Sequence, residues 1–100
     1  MLAVLGVGLV DPDRPILRAD DLGVLRGDGI FETMHVRHGR PWLLDAHLAR
    51  MARSAARLDL PLPAAGELTG LAGQACAAWP TATEGALRLV CTRGDRKSVV

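Results

Sequence analysis

The sequence predicts one small α+β domain with an antiparallel-rich sheet and two helices. Three segments of β-type composition precede position 45, two segments with helical periodicity follow them, and one more β-type segment comes last. Because the helices are consecutive and do not alternate with strands, this order favours α+β over a doubly wound parallel sheet. Hydrophobic residues make up 49% of the 100 positions. That content is sufficient for one core, which buries roughly 60–65% of the surface of an unfolded chain of this size.

The charge and cysteine content argue against several classes of partner. A net charge of +1 is too small for the basic footprint of a nucleic-acid-binding domain. Cys76 and Cys91 are isolated and lack the spacing of metal ligands, so we expect reduced cysteines in a cytoplasmic protein. The apolar start, residues 1–10, has no basic region before it and is too short to cross a membrane, so we expect no membrane contact.

Residues 2–10 are predicted to form a strand. They alternate loosely between apolar and other residues and include Gly6 and Gly8. Gly-x-Gly without a third glycine that opens a helix is a weak signal for a phosphate-binding loop, so the strand is the better interpretation. Two Asp and two Pro within residues 11–15 predict a turn, and residues 16–25 form a mixed segment.

Residues 26–33, with the sequence Arg-Gly-Asp-Gly-Ile-Phe-Glu-Thr, predict a tight turn that leads into a buried strand. Two glycines flank one carboxylate, which allows the backbone to turn sharply, and β-branched and apolar residues follow over 30–37. Such a turn is either a structural corner or the edge of a ligand site. Residues 38–41 then predict a hairpin connection with a return strand over 42–44.

The first helix is predicted to begin after Asp45, whose carboxylate would accept hydrogen bonds from the first free amides as the N-cap. Apolar residues at spacings of three and four predict its inward face, and these are Leu48, Met51, Ala55 and Leu58. Arg50, Arg53 and Arg57 repeat the same spacing on another face. For Arg53 and Arg57 we expect an ordinary solvated face.

The second helix is predicted over residues 65–79, although its three glycines have low helix propensity. We expect its inward residues to be Leu68, Leu71, Ala75 and Trp79. Residues 86–92 then predict a strand in which Arg88 interrupts an apolar run. A buried arginine requires a partner, which would be either a structural carboxylate, with Glu32 as the candidate, or an anionic ligand.

Four segments, taken together, resemble the N-terminal domain of the fold-type IV pyridoxal-phosphate enzymes. They are residues 26–33, 44–50 (Leu-Asp-Ala-His-Leu-Ala-Arg), 53–55 (Arg-Ser-Ala) and 87–94 (Leu-Arg-Leu-Val-Cys-Thr-Arg-Gly). The family contains aminodeoxychorismate lyases and the branched-chain and D-amino-acid aminotransferases. Gly-Asp-Gly-x-Phe-x-Thr is similar to the lyase version of the turn, and Thr-Arg-Gly at 92–94 is similar to lyases and D-amino-acid enzymes.

The resemblance implies roles for five residues. Arg50 matches the arginine of a His-x-x-Arg helix motif that pairs with the phosphate of pyridoxal 5'-phosphate, for which a planar fork of donors is suited. The remaining four are implied at the substrate. Phe31 matches the aromatic residue that faces the substrate pocket, and Arg26 lies near the same wall. Arg88 matches a substrate-facing position, and Arg93 is assigned either to the substrate or to bracing the turn.

The activity that the resemblance implies is that of an aminodeoxychorismate lyase, which forms 4-aminobenzoate and pyruvate in folate biosynthesis. The cofactor would lie between the two domains of a homodimer. The alternatives are a branched-chain or D-amino-acid aminotransferase and, from another class, a free-standing α+β domain that binds a small anion or a partner protein and catalyses nothing.

The Schiff-base lysine of this family lies on a C-terminal domain, beyond position 100. Lys97, the single lysine of the chain, is in the wrong place, so we expect no catalytic residue here. Residues 1–94 are therefore predicted to be the N-terminal domain of a larger enzyme. Residues 95–100 depart from the family pattern and are predicted to be a non-native tail.

Overall fold

An antiparallel sheet with two long helices against one face forms the domain in the computed structural model, which describes residues 1–94. The elements, in chain order, are β1 (Leu2–Val4), β2 (Gly8–Val10), α1 (Leu22–Arg26), β3 (Gly29–Arg37), β4 (Arg40–Pro41), α2 (Leu44–Arg57), α3 (Ala65–Ala78) and β5 (Gly85–Thr92). The predicted α+β class is confirmed. The structure has one helix more than predicted. This helix, α1, has five residues and begins within residues 16–25, for which the sequence predicted neither helix nor strand.

The central strand of the larger sheet is β3, which lies between β4 and β5. It pairs with β5 over eight antiparallel positions, from Gly29 opposite Thr92 to Val36 opposite Gly85. Because side chains alternate along a strand, β3 directs one set toward the helices and the other set away from them. The strands β1 and β2 form a separate antiparallel pair beside α3.

The core lies between the sheet and the two long helices. Its buried residues come from β3, α2, α3 and β5, and they are Met34, Leu48, Met51, Leu68 and Leu89. Met51 is the most enclosed of them, with 1% of its surface exposed. The predicted apolar stripe of α2 therefore meets the helix-facing side of the sheet. No helix within residues 1–94 is long and apolar enough to cross a membrane.

Two predicted strands differ from the observed ones. Residues 2–10 form a hairpin, because Gly6 and Gly8 adopt positive φ values of 80° and 100° that a turn requires and that glycine tolerates. The predicted return strand over 42–44 is also wrong. Leu43 has a φ of 56°, which ends the extended backbone, so β4 has only two residues.

The ends and faces of the helices also depart from the predictions. Asp45 lies inside the first turn of α2, and the N-cap is Leu43, which makes no side-chain capping hydrogen bond. An acidic side chain in the first turn still interacts favourably with the helix dipole. Leu58, which was predicted to face inward, is the exposed C-cap residue.

The inward face of α3 is rotated relative to the prediction. Leu68 is buried as expected, but the other buried positions are Ala72 and Cys76. Residues 71, 75 and 79 are half-buried at the margin of this face. Ala72 is small and lies completely inside, which is consistent with close approach of the helix to its neighbours.

Residues 27–29, the glycine corner before β3, are hydrogen-bonded to the residues that follow β5. Gly27 ends α1 with a φ of 65°, and the carboxylate of Asp28 accepts a hydrogen bond from Nε of Arg93 at 2.7 Å. Arg93 also donates from its backbone to the carbonyl of Asp28 at 3.1 Å, and the backbone N–H of Leu22 donates to the carbonyl of Gly94 at 2.8 Å. The glycine corner therefore has a structural role, since it connects the start of β3 to the end of β5.

We expect Gly29→Ala to destabilise the domain and Gly70→Ala to stabilise it. A Cβ at position 29 would lie 2.9 Å from the carbonyl oxygen of Cys91, whereas a Cβ at position 70 meets no atom within 4 Å. Overpacking of this kind costs about 1–3 kcal/mol, and glycine to alanine inside a helix gains about 0.5–1 kcal/mol. Urea unfolding of both variants gives the comparison, and equal unfolding midpoints would contradict the packing at the corner.

Candidate functional site

Three of the five site residues that the sequence nominated, Arg50, Phe31 and Arg88, lie on opposite faces of β3. Glu32 points toward the helices and Phe31 points away from them, because adjacent residues of a strand face opposite sides. Arg50, on α2, lies with Glu32, and Arg88, on β5, lies with Phe31. The structure therefore separates the predicted phosphate-binding residue from the predicted substrate-facing pair.

Arg50 forms a forked ion pair with the buried carboxylate of Glu32. Its Nε lies 3.0 Å from Oε1 and 3.1 Å from Oε2, and its Nη2 lies 2.8 Å from Oε1. The side chain of Glu32 is 6% exposed, whereas that of Arg50 is 60% exposed. The pair thus has an inner anionic half and an outer cationic half.

His47 is the second partner of Glu32. Its Nδ1 lies 2.7 Å from Oε1, and an ionised carboxylate has only acceptors, so Nδ1 is the donor. His47 precedes Arg50 by three positions on α2, which places both side chains on one face of the helix. Two residues of the same helix therefore hold one carboxylate of the sheet.

The hydrogen bond from Arg50 lowers the pKa of Glu32 below its usual value, and the hydrogen bond from His47 acts in the same direction. Burial opposes both. The hydrogen bond to Glu32 also raises the pKa of Arg50. Both partners consequently remain charged near neutral pH, as an anchor for an anionic group requires.

Arg50 retains free donors that fit a phosphate group. Its Nη1 makes no hydrogen bond to any residue within 1–94, and the guanidinium reaches the surface. A planar guanidinium edge matches the geometry of phosphate oxygens. Arg53 and Arg57 are exposed on α2 as predicted and have no ion-pair partner in the described part of the chain. Of the three arginines of α2 that were compared, Arg50 is thus the one held by a partner within residues 1–94.

Arg88 lies over the ring of Phe31, with its Cζ 4.2 Å from the ring centroid. This is a cation–π contact on the open face of the sheet, where Phe31 is 56% exposed. Arg88 was predicted to be buried and to need a carboxylate or an anion, with Glu32 as the candidate. Burial and the pairing with Glu32 are wrong, because Arg88 is exposed and the register places it opposite Thr33, on the face that Glu32 does not share. An anionic ligand for Arg88 stays a prediction.

Arg93 and Arg26 occupy different surroundings. Besides Asp28, the guanidinium of Arg93 donates to the carbonyls of Leu58 and Asp59 at 2.8 and 3.1 Å, so it caps the end of α2. These contacts match the bracing role, and a substrate role for Arg93 stays a prediction. Arg26 is exposed in the last turn of α1 and makes no hydrogen bond or ion pair within residues 1–94.

Sequence reasoning missed the partnership of Glu32 and His47 with Arg50. A signal for it was present. Strand alternation places Glu32 on the same side as Met34, which belongs to the core face, and His47 and Arg50 share a helix face through their spacing of three. What the sequence does not contain is the rotation of α2 that brings this face against Glu32.

Known proteins match the chain over most of its length. The family described as Amino-transferase class IV matches residues 29–99, a range that enters the tail predicted at 95–100, which lies outside the described residues. A bifunctional aminodeoxychorismate lyase / D-amino acid transaminase from Mycobacterium tuberculosis is 45% identical over 96 residues, which are 94% of this chain and 33% of that protein. A chloroplastic D-amino-acid transaminase from Arabidopsis thaliana is 43% identical over 53 residues, which are 53% of this chain and 14% of that protein.

Solved structures give the same result. A hypothetical aminotransferase from Mycobacterium tuberculosis in its PLP-bound form matches with a TM-score of 0.88 at 45% identity, covering 92% of this chain and 33% of that chain. The 4-amino-4-deoxychorismate lyase from Pseudomonas aeruginosa matches with a TM-score of 0.72 at 39% identity, covering 82% and 29%. The chain spans a third or less of the length of these relatives. It belongs to the class IV aminotransferases, the fold-type IV pyridoxal-phosphate-dependent enzymes.

Proposed function

We propose that residues 1–94 are the N-terminal domain of a pyridoxal-phosphate-dependent aminodeoxychorismate lyase, which forms 4-aminobenzoate and releases pyruvate. The observation that carries the proposal is the exposed side chain of Arg50, whose guanidinium is held by the buried carboxylate of Glu32 and keeps free donors. Support comes from the M. tuberculosis relative, whose name includes this lyase activity. The full-length protein is proposed to be a cytoplasmic homodimer that acts in folate biosynthesis.

In this proposal Arg50 binds the phosphate of the cofactor through its free donors, while Glu32 and His47 hold Arg50 in place. When bound, pyridoxal phosphate supplies an electron sink for the substrate's α-carbon. The lysine that this chemistry requires comes from the C-terminal domain. The contribution of the present domain is to bind the anionic end of the cofactor and to provide one wall for the substrate.

The substrate wall is assigned to Phe31 and Arg88. Aminodeoxychorismate combines a cyclohexadiene ring with carboxylates, and this pair combines an exposed aromatic face with a guanidinium 4.2 Å above it. Arg88 is proposed to bind a carboxylate by charge-assisted hydrogen bonds, and Phe31 to contact the ring. Arg26 and Arg93 remain proposed substrate-binding residues outside this pair.

The lyase reaction makes a modest demand on the domain. Loss of pyruvate makes the ring of the substrate aromatic, so much of the driving force belongs to the substrate. A transaminase must in addition accept a second substrate and return an amino group to it. An open wall with an exposed aromatic residue and one guanidinium above it is proposed to meet the first of these demands.

The second candidate is a D-amino-acid aminotransferase. Two observations favour it over the branched-chain alternative: the M. tuberculosis relative is named for both activities, and the A. thaliana relative is named a D-amino-acid transaminase. The two candidates share the cofactor site around Arg50 and differ in what the face around Phe31 and Arg88 accepts. A free-standing binding domain remains the alternative of another class.

We expect Arg50→Ala to weaken pyridoxal phosphate binding by the full-length protein about tenfold or more, because a charge-assisted fork to phosphate is lost. Arg53→Ala and Arg57→Ala are matched controls on the same helix. They should change the affinity by less than about threefold, as solvated charges do. Equilibrium dialysis against the cofactor measures all three. Equal affinities would show that the wrong face of α2 has been assigned.

The reaction is tested with the full-length enzyme on three substrates in parallel. We expect release of 4-aminobenzoate and pyruvate from aminodeoxychorismate without any 2-oxo acid acceptor. D-alanine and branched-chain amino acids, each with 2-oxoglutarate, are the comparison reactions. Turnover in the acceptor-dependent reactions alone would reject the lyase assignment and support the aminotransferase.

The chain by itself is expected to form no specific covalent adduct with pyridoxal phosphate. The proposed reactive lysine belongs to another domain, so borohydride reduction should leave no stoichiometric modification at one residue. Peptide mapping by mass spectrometry after reduction is the measurement, with the full-length protein as the positive control. Complete modification of Lys97 would contradict the assignment of residues 1–94 as a partial enzyme.

A further inference from the structure

Glu32 is an exception among the helix-facing residues of β3. The next two residues on that side, Met34 and Val36, are buried and apolar, and an apolar residue at position 32 would need no partner. A buried carboxylate needs several hydrogen bonds. Compared with well-packed apolar residues, a buried ion pair gives little or no net stability. Stability alone therefore does not explain why a carboxylate stands at position 32. Its effect on the orientation of Arg50 offers an explanation.

The donors of Arg50 divide into two sets. A guanidinium has five N–H groups, and Glu32 engages the one on Nε and one on Nη2. The other three, two on Nη1 and one on Nη2, have no partner within residues 1–94. Glu32 thus occupies one edge of the fork and fixes its plane, and the side chain that carries the three free donors is 60% exposed.

His47 restrains the carboxylate itself. Its Nδ1 is 2.7 Å from the same Oε1 that accepts from Nη2 of Arg50. The side chain of His47 is mostly enclosed, so the ring cannot move freely away from Glu32. The orientation of the Arg50 guanidinium is therefore set by a chain of contacts from β3 and α2.

We propose that Glu32 is a positioning residue for the cofactor phosphate, acting through Arg50. The inference rests on the proposed function, because it takes pyridoxal phosphate as the ligand of Arg50. A long arginine side chain loses rotamer freedom when it binds a ligand. With Glu32 in place, much of that freedom is removed before the phosphate arrives, while three donors stay free on an exposed side chain. Preorganisation of this kind increases affinity without a new contact to the ligand.

The charge of Glu32 has the opposite effect on an anionic ligand. A carboxylate beside the guanidinium repels a phosphate, so Glu32 reduces the attraction while it improves the orientation. Two substitutions separate the effect of the length of the Glu32 side chain from the effect of its charge. Glu32→Asp keeps the charge but withdraws the oxygens by one methylene. Glu32→Gln keeps the reach and one acceptor oxygen for Arg50 but removes the charge.

The experiment measures binding of pyridoxal 5'-phosphate and of pyridoxal, which lacks the phosphate, to the full-length protein. We expect Glu32→Asp to weaken the affinity for pyridoxal phosphate about tenfold, in the range of a misplaced charge-assisted hydrogen bond. Glu32→Gln should remain within about threefold of the unsubstituted protein. Neither variant should change the affinity for pyridoxal, which a general structural defect would alter. The opposite order, with Gln weak and Asp unchanged, would overturn the inference.

An Arg50→Ala background provides the control for mechanism. If Glu32 acts through Arg50, Glu32→Asp should have no further effect on pyridoxal phosphate binding in that background. Additive effects would mean that Glu32 acts by another route. Failure of this inference is distinguishable from failure of the proposed function. Cofactor binding that depends on Arg50 and ignores both Glu32 variants rejects the positioning role alone, whereas absence of any cofactor binding rejects the function.

Discussion

The buried carboxylate of Glu32 is the interaction on which the arrangement of this domain depends. It lies on a strand face that is otherwise apolar, and the requirement for partners is met by Arg50 and His47 of one helix. The same contacts connect the sheet to α2 and orient the single helix arginine that the family resemblance assigns to phosphate. Because burial alone would raise the pKa of Glu32, the net lowering reflects the strength of these hydrogen bonds, that from Arg50 above all. The packing of α2 on the sheet and the orientation of Arg50 therefore depend on the same hydrogen bonds to Glu32.

A second constraint comes from the glycine corner before β3. The carboxylate of Asp28 and the carbonyls at the end of α2 converge on the guanidinium of Arg93, whose side chain is mostly enclosed. This joins three parts of the chain that are far apart in sequence. It sets the start of β3, and through the register it places Phe31 and Arg88 on the open face. Neither residue is required by the core, which is consistent with a role at a surface that something else covers.

The two proposed binding functions, for the cofactor phosphate and for the substrate, lie on opposite faces of the sheet. On the helix side, a rigid, fully partnered carboxylate presents one cation, as recognition of a phosphate needs. On the open side, an aromatic ring and a guanidinium contact each other, which suits a substrate wall that differs between lyases and aminotransferases. The relatives belong to one family but are named for different activities. This agrees with a shared phosphate site and a variable substrate wall.

The sequence by itself determined the α+β class, the glycine corner, the apolar stripe of α2 and the nomination of Arg50, since each of these follows from local spacing or from a short motif. Tertiary structure alone decided which charges meet. Arg88 and Glu32 were natural partners by composition, but the pairing of β3 with β5 directs them to opposite faces. The rotation of α3 that buries Ala72 and Cys76 also depends on the surface against which the helix packs. Periodicity identifies the face of an element, whereas the contact of that face with another element is a property of the whole fold.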